Sequence, residues 1–277
     1  MKTTFFRSFV LNSATAILLS LALISRASDP LPGLVGHWQF EEGTGLTTAD
    51  SSGNGITGTL LSGPIWVPSP LGTNALEFDG INDGVDLGNP AALQITGAIM
   101  LTAWVYVDTI SGAGRFIAKG GASGQRGWGL NVEANNTWAF QIAGNATTSI
   151  SLNAPNVIIG QWVHVAGVYD NTAPSMKMYL YGTLVGERTD IPTSQFASPV
   201  NAFIGRRANG TFFDGKLDEV RVFNRALSQA EIQALPELAP TPLTFATQPV
   251  SRVVAQFRPV TFTSAVRGAP PHFFQWF

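Results

Sequence analysis

The chain has 277 residues, of which 45% are hydrophobic and 12% are charged, and its net charge is −2. This length allows one large domain and part of another, and the near-neutral charge excludes a strong electrostatic attraction to nucleic acid or to an anionic membrane. There is no cysteine, which excludes disulfides and thiolate chemistry, so a secreted domain would depend on core burial or on a bound ion.

Residues 1–27 have the pattern of a secretory signal peptide. Lys2 and Arg7 provide the positive start, residues 9–24 are mostly apolar, and Ala27 is a small residue at the end of the predicted cleavage site. A membrane anchor is the alternative, although the apolar run is short for a span of about 20 residues. We predict a cleaved signal, a secreted or cell-surface location, and no membrane insertion of the mature chain.

Patterns of alternating apolar and polar residues recur about every ten residues between Gly- and Asn-rich turns, which predicts a β-sandwich or barrel and not βαβ units. His164 lies inside one such pattern and is interpreted as a packed or hydrogen-bonded strand residue, because the histidines have no metal-ligand spacing. Before the last strand, the predicted strands cover residues 34–40, 75–80, 84–88, 100–107, 116–119, 128–133, 137–142, 161–170, 176–181 and 201–207.

The last predicted strand lies within residues 212–227, where Val220 and Val222 alternate with polar side chains. We expect this strand to be central to a sheet. Two carboxylates, Asp218 and Glu219, precede the valines. Carboxylates in a central strand need a cation, hydrogen-bond donors or an arginine to compensate the loss of hydration.

The end of the chain changes in character. Ser228 and Glu231 form a capping-box pattern that predicts a short helix, and residues 236–242 form a proline-rich predicted linker. Residues 243–277 then resemble the first three strands of an immunoglobulin-like domain, with Trp276 in the place of the core tryptophan but without the usual strand-B cysteine. We interpret this segment as a truncated domain that does not fold stably by itself.

Three segments together resemble the laminin-G-like, concanavalin-A-like jelly-roll family. They are W-x-F-E-E-G-T-G with A-D-S-S-G-N-G at residues 38–55, F-D-G-x-N-D-x-V at residues 78–85, and GKLDEVRVFNRALS at residues 215–228. The resemblance implies an all-β fold in which residues 28–235 form a two-sheet antiparallel jelly-roll sandwich. The incomplete second β domain would follow it.

The resemblance also implies a non-catalytic extracellular module, of the kind attached to glycosidases, sialidases, adhesins or large bacterial surface proteins. The implied partner is a glycan or another extracellular-matrix or cell-surface ligand, and the fold alone does not identify it because function resides in grafted sites. The alternative is a structural or adhesion spacer that binds a protein or no ligand.

A divergent glycoside hydrolase is the third interpretation. Family 16 glycosidases share this architecture and carry E-x-D-x-x-E on one strand, with the first acid as nucleophile and the last as acid/base. The nearest match is Glu77-Phe78-Asp79, which lacks the third acid. Strand periodicity would place the adjacent Asp218 and Glu219 on opposite faces, so they would not supply the missing pair.

Ligand-binding residues are expected beside the Gly- and Asn-rich connections, which can vary without disturbing the sheets. Trp128 and Trp138 follow such loops and are candidates for an exposed stacking platform, with burial in the core as the alternative. Arg206, Arg207 and Asn209 could donate to a sugar or to a carboxylate, unless an arginine pairs with a nearby acid. We predict Trp128, Arg206, Arg207 and Asn209 as the ligand-binding set.

A structural calcium ion is the predicted cofactor. Asp50 and Asn54 lie on a Gly/Ser loop, and Asp218 begins the last strand. Oxygen ligands without His or Cys suit Ca²⁺ better than zinc, and the family resemblance implies a calcium in this region. In the alternative, Asp50 caps its own turn and Asp218 pairs with Arg221 or Arg207.

The same alternation predicts which side chains form the core. Residues on the apolar side of each predicted strand should be buried between the sheets. The residues chosen are Trp38, Phe78, Trp104, Val165, Ile204, Val220 and Val222.

Overall fold

The computed structural model describes residues 31–238 together with Thr244–Thr247 and Ala265–Arg267. The predicted signal peptide, most of the predicted linker and Trp276 lie outside the described residues. Within the described residues, no helix is long and apolar enough to span a membrane.

Strands dominate the described chain, as the alternating patterns predict. The strands are β1 Leu34–Trp38, β2 Thr47–Thr48, β3 Gly58–Leu61, β4 Ile65–Pro68, β5 Asn74–Asp79, β6 Gly84–Asp86, β7 Ile99–Val107, β8 Gly114–Lys119, β9 Trp128–Val132, β10 Thr137–Ala143, β11 Ser149–Asn156, β12 Trp162–Asp170, β13 Ser175–Leu180, β14 Thr183–Arg188, β15 Ala202–Ile204, β16 Asp214–Phe223, β17 Thr244–Thr247 and β18 Ala265–Arg267. The helices are α1 Gln229–Ala234 and the 3-10 helices Ala91–Leu93 and Leu235–Leu238.

Two antiparallel sheets of eight strands each form the body of the domain. The first has the order β14-β13-β12-β7-β16-β5-β4, with β1 also paired to β16, and the second has the order β11-β10-β9-β8-β15-β6-β3-β2. The predicted all-β, two-sheet antiparallel jelly roll is therefore confirmed. The closing strand β16 is central, as predicted, because it pairs with β7 on one side and with β5 and β1 on the other.

The main core lies between the sheets and contains the apolar side of nearly every strand. All seven residues predicted to be buried are buried. Trp104 differs from the other six, because it packs with Leu71 and the half-buried Trp162 in a separate small cluster and not in the main core.

A bulge in β16 changes the alternation that the sequence suggests. The pairing of β16 with β7 shifts between Asp218 and Arg221, and Glu219 has a left-handed φ of 52°. Leu217, Val220 and Val222 consequently all reach the main core. Two residues separate Leu217 from Val220, whereas one separates Val220 from Val222. Asp218 and Glu219 are both held away from that core, so their predicted separation onto opposite faces is wrong.

The C-terminal helix has the predicted cap. The Ser228 hydroxyl accepts the Glu231 N–H, and the Glu231 carboxylate accepts the Ser228 N–H, which completes a capping box at α1. Pro236, where the predicted linker begins, lies in the 3-10 helix Leu235–Leu238. Farther along, β17 and β18 pair antiparallel. One pair of short strands does not test the immunoglobulin-like assignment, which stays a prediction.

Candidate ligand-binding site

Three arginines line one pocket beside the second sheet. Arg115 is in β8, Arg126 lies in the connection from β8 to β9, and Arg207 follows β15. Because β9, β8 and β15 are neighbours in the sheet, elements distant in sequence converge here. We call this surface the arginine pocket and define it by Arg115, Arg126, Arg207, Gly129 and Gln141, all of which line it.

Strand register explains the shape of the arginine pocket. Across β8, β9 and β10, Ala118 pairs with Gly129, which pairs with Gln141. A Cβ added at Gly129 would lie 3.2 Å from the Cβ of Ala118, so the glycine leaves the middle of this row without a side chain. The free space in the pocket is about 10 Å³, which is room for about one water-sized group.

One carboxylate approaches these arginines. Glu133 Oε1 accepts from Arg115 Nη1 at 3.0 Å and from Asn131 Nδ2 at 2.6 Å. Arg126 and Arg207 form no side-chain hydrogen bond or ion pair with the described part of the chain. The Nε atoms of all three arginines and the Oδ1 of Asn131 are buried and have no hydrogen-bond partner there.

The electrostatics of Arg207 show how crowded the positive charges are. Burial lowers the pKa of its guanidinium, and the nearby charges of Arg115 and Arg126 lower it further, against a smaller opposing effect of Glu133. Like charges gathered in a partly buried place raise the free energy of the folded state unless a negative group neutralises them.

The structure brings two of the four predicted ligand-binding residues to the arginine pocket. Trp128 and Arg207 both line it. The prediction of an exposed tryptophan platform is nevertheless wrong, because Trp128 is 3% exposed and Trp138 is 0% exposed. Trp128 alternates with Leu130 and Val132 along β9, and all three contact the main core.

The other two residues lie apart. The Arg206 guanidinium stacks on the rings of Phe203 and Phe212, with its carbon 5.3 and 4.8 Å from the ring centroids. Asn209 is exposed at the tip of a turn that the bridge between Arg207 and Gly210 closes. Neither residue lines the arginine pocket, and their ligand-binding role remains a prediction.

Sequence reasoning missed Arg115, Arg126, Asn131 and Glu133. Each is an isolated polar residue within or beside an apolar strand, so none forms a motif along the chain. Their convergence depends on the register Arg115–Asn131 between β8 and β9, which a single sequence does not specify. The available signal was a charged residue inside a strand that is otherwise buried, which calls for a partner.

The predicted calcium ligands Asp50 and Asn54 are engaged within their own region. Asp50 Oδ1 accepts the N–H groups of His37 and Ser52, and its Oδ2 accepts the N–H of Ile56. Asn54 Nδ2 donates to the carbonyls of Leu34 and Val35. The loop therefore uses Asp50 as a cap for its turn, which is the alternative left open by the sequence.

The third predicted calcium ligand is bound elsewhere. Asp218 is fully buried, pairs in register with Trp104, and accepts a hydrogen bond from Ser69 at 2.6 Å through Oδ2. Burial raises the pKa of the Asp218 carboxyl to about 8, so it is largely protonated at neutral pH. No cluster of three or more His, Cys, Asp or Glu residues able to hold a metal ion is found in the described residues. All three residues form hydrogen bonds within the protein, and calcium remains a prediction for solution tests.

Charged residues on β1 and β16 form a second polar region. Glu219 is 1% exposed, hydrogen-bonds His37 Nε2 at 2.7 Å, and forms an ion pair with Arg221. Nearby on β12, His164 shares a 2.7 Å hydrogen bond with Thr102, which confirms its interpretation as a hydrogen-bonded strand residue. We call His37, Glu219, Arg221, His164 and Asp218 the buried polar cluster.

A wider acidic cleft of about 270 Å³ includes the two acids of the weak glycosidase match. Lys216 lies 2.9 Å from Glu77 and 2.8 Å from Asp108. Asp79 Oδ1 accepts the N–H groups of Ile81 and Asn82. In this arrangement Glu77 neutralises a lysine and Asp79 caps a turn.

Comparison with known proteins supports the fold independently. A family model described as the Concanavalin A-like lectin/glucanases superfamily matches residues 79–233, which is more than half of the chain. A comparison with curated protein sequences gives no match.

Solved structures give the same architecture. The binding domain of Paraclostridial Mosquitocidal Protein 1 aligns with a TM-score of 0.59 at 12% identity, covering 74% of this chain and 52% of that one. The botulinum neurotoxin serotype G binding domain gives 0.57 at 15% identity, with 73% and 50% coverage. This chain thus spans about half the length of these two binding domains.

A smaller domain matches over nearly its full length. Domain 4 of AbnA, a GH43 extracellular arabinanase from Geobacillus stearothermophilus solved in complex with arabinotriose, gives a TM-score of 0.53 at 19% identity. The alignment covers 73% of this chain and 97% of that domain. At such identities the similarity shows a shared fold.

Proposed function

Because the chain belongs to the Concanavalin A-like lectin/glucanases superfamily, we propose that it is a non-catalytic extracellular module that binds a glycan at the arginine pocket and is accessory to a larger secreted or surface protein. The observation that carries this proposal is the pocket lined by Arg115, Arg126 and Arg207, whose buried Nε atoms have no hydrogen-bond partner among the described residues. Buried polar groups are normally hydrogen-bonded, so several unpaired donors lining one pocket favour a partner from outside the chain.

Similar structures support a glycan as the class of ligand. The arabinanase domain was solved with arabinotriose, and a botulinum neurotoxin type C structure is described through an interaction with two ganglioside molecules. The extracellular location is supported by the predicted signal peptide at residues 1–27 and by the extracellular nature of that arabinanase.

A glycan array followed by calorimetry with the full chain tests the proposal. We expect specific binding to at least one glycan and a rise of the unfolding midpoint in its presence. Arg207→Ala should weaken this binding by about tenfold or more. Lys177→Ala is the matched control, because Lys177 is a half-exposed cation paired with Glu187 on the other sheet.

Each remaining outcome points to a different function. A folded protein that binds no glycan and shows no sugar-dependent change in its midpoint favours the structural or adhesion spacer. Release of reducing ends from a polysaccharide by the purified chain favours the divergent glycoside hydrolase, with the acidic cleft as the place to look for its carboxylates.

A further inference from the structure

We infer that the ligand is an acidic glycan, and that the arginine pocket binds its carboxylate or sulfate group. This inference rests on the proposed function and adds the chemical class of the ligand. The charge balance, the packing and the free space of the pocket support it independently.

The charge balance is positive. Three guanidinium groups line the pocket. Within the described part of the chain, the single carboxylate hydrogen-bonded to any of them is Glu133, which is shared between Arg115 and Asn131. Arg126 and Arg207 have no ion-pair partner among the described residues. The three arginines and Glu133 together retain about two uncompensated positive charges, which one sulfate or carboxylate group would reduce. Lys119 also lines the pocket, but its Nζ donates to Asn89 and to the carbonyl of Val200.

Burial makes that excess costly. Arg115 is 5% exposed and Asn131 is 0% exposed, and each has a buried atom, Nε and Oδ1 respectively, without a described partner. Burial lowers the pKa of Arg207, and the charges of Arg115 and Arg126 lower it further, so the arginines also raise one another's electrostatic energy. An anion that accepts from several guanidinium groups relieves both costs at once, whereas a neutral hydroxyl supplies hydrogen bonds but no charge.

The free space matches a small group and not a sugar ring. Room for about one water-sized group admits a carboxylate or sulfate oxygen, and the ring that carries it would remain outside. Gln141 and Ser149 also line the pocket and are half-buried, so they offer hydrogen bonds to the hydroxyls of that ring. Guanidinium groups bind planar carboxylates through paired hydrogen bonds, which adds geometric selectivity to the charge.

The experiment compares charged and neutral probes, two of which share one backbone. Binding of trigalacturonic acid, its trimethyl ester, a heparin hexasaccharide and arabinotriose to the full chain is measured by calorimetry at two salt concentrations. We expect an acidic probe to bind at least about tenfold more tightly than the neutral ones and to weaken as salt rises. A preference for trigalacturonic acid over its ester assigns a carboxylate. A preference for the heparin fragment assigns a sulfate only if it persists after the carboxyl groups of that fragment are reduced, because heparin carries both groups.

Two variants assign the binding to the pocket. Arg207→Gln and Arg126→Gln should each lower the affinity for the acidic probe by about tenfold, while Lys177→Gln should not change it. Arg126 lies in a loop and is half-buried, so its variant tests the site even if Arg207→Gln alters folding. Circular dichroism and the unfolding midpoint verify that the variants are folded.

The outcomes separate this inference from the proposed function. Affinity for both acidic probes, trigalacturonic acid and the heparin fragment, that is no higher than for the neutral probes overturns the inference and leaves a glycan-binding module. Acidic binding that survives both arginine variants also overturns it, because the site then lies elsewhere. Absence of binding to every probe and to the glycan array overturns the inference together with the proposed function.

Discussion

Each sheet carries a group of charged residues away from the core: the buried polar cluster on the first sheet and the arginine pocket on the second. The two groups differ in how far opposite charges within the protein neutralise them. In the buried polar cluster, burial raises the pKa of the Glu219 carboxyl, but the charge of Arg221 and the hydrogen bond with His37 outweigh burial and hold that pKa below its usual value. In the arginine pocket, Glu133 pairs with Arg115, and Arg126 and Arg207 have no ion-pair partner among the described residues. The first group is therefore largely neutralised within the protein, whereas the second retains a positive charge.

Both regions contain buried polar atoms without described partners, such as His164 Nδ1 in the first and Arg207 Nε in the second. Unpaired atoms alone thus do not identify a binding site. The distinguishing features are the uncompensated charge and the pocket that the arginines line. The comparison predicts that mutations in the first region change stability and that mutations in the second change binding.

The largest expected effect is that of Glu219→Gln. The substitution leaves Arg221 and His37 without the carboxylate between them, and breaking a buried ion pair in this way costs about 3–5 kcal/mol. Chemical denaturation measures the change. Glu187→Gln, in the exposed pair with Lys177, should cost less than about 1 kcal/mol. Similar losses in the two variants would contradict the structural role of the buried polar cluster.

Trp128→Ala should destabilise the protein by about 3–5 kcal/mol, because it removes a large buried side chain from the main core. Loss of binding in Trp128→Ala would therefore not show that Trp128 contacts the ligand, because unfolding would have the same result. Denaturation curves for Trp128→Ala and Trp128→Phe measure the effect, and the phenylalanine variant should lose less. An unchanged midpoint in Trp128→Ala would place the ring at the surface.

The pH dependence should reveal His164. Burial lowers its pKa from 6.5 to about 3, so the unfolded chain binds a proton between these values while the folded chain does not. The free energy of unfolding is therefore unaffected by this histidine above pH 6.5 and decreases as the pH falls from 6.5 toward 3. His164→Gln, which can keep a hydrogen bond to Thr102, should lose less stability than wild type between pH 6.5 and 4. Parallel wild-type and variant curves over this range would contradict the assignment.

Arg207→Gln should change the free energy of unfolding by less than about 0.5 kcal/mol, since its guanidinium has no described ion pair and lies near other cations. At low salt, where repulsion between the arginines is strongest, the variant should be slightly more stable than wild type. Thermal unfolding at low and high salt measures this. A loss of several kcal/mol would show that Arg207 is structural.

Chelation tests the predicted calcium ion, whose proposed ligands here hydrogen-bond within the protein: Asp50 and Asn54 to the backbone and Asp218 to Ser69. If the ion is bound, excess chelator should lower the wild-type unfolding midpoint by several degrees, and Asp218→Asn should lose most of that response. Equal midpoints for wild type in calcium and in chelator would remove the ion.

Much of the fold was predictable from one sequence. The central position of β16, the burial of Val220 and Val222, and the capping box at Ser228 follow from local alternation and from residue types. The outermost strands were missed, including β11 and β14. An edge strand buries less of its surface and carries a weaker apolar alternation, as the exposed pattern of Thr183–Arg188 shows.

The candidate site was predictable only in part, and the reason is physical. Composition and alternation determine which segments become strands, because each strand must bury one face. Arg207 could be singled out as a donor, but its position beside Arg115 and Arg126 depends on the order of β9, β8 and β15 in the sheet. The bulge at Glu219 likewise decided where Asp218 lies. Charge compensation is a property of neighbours in space, so only the tertiary structure showed which charged residues are paired and which remain available to a ligand.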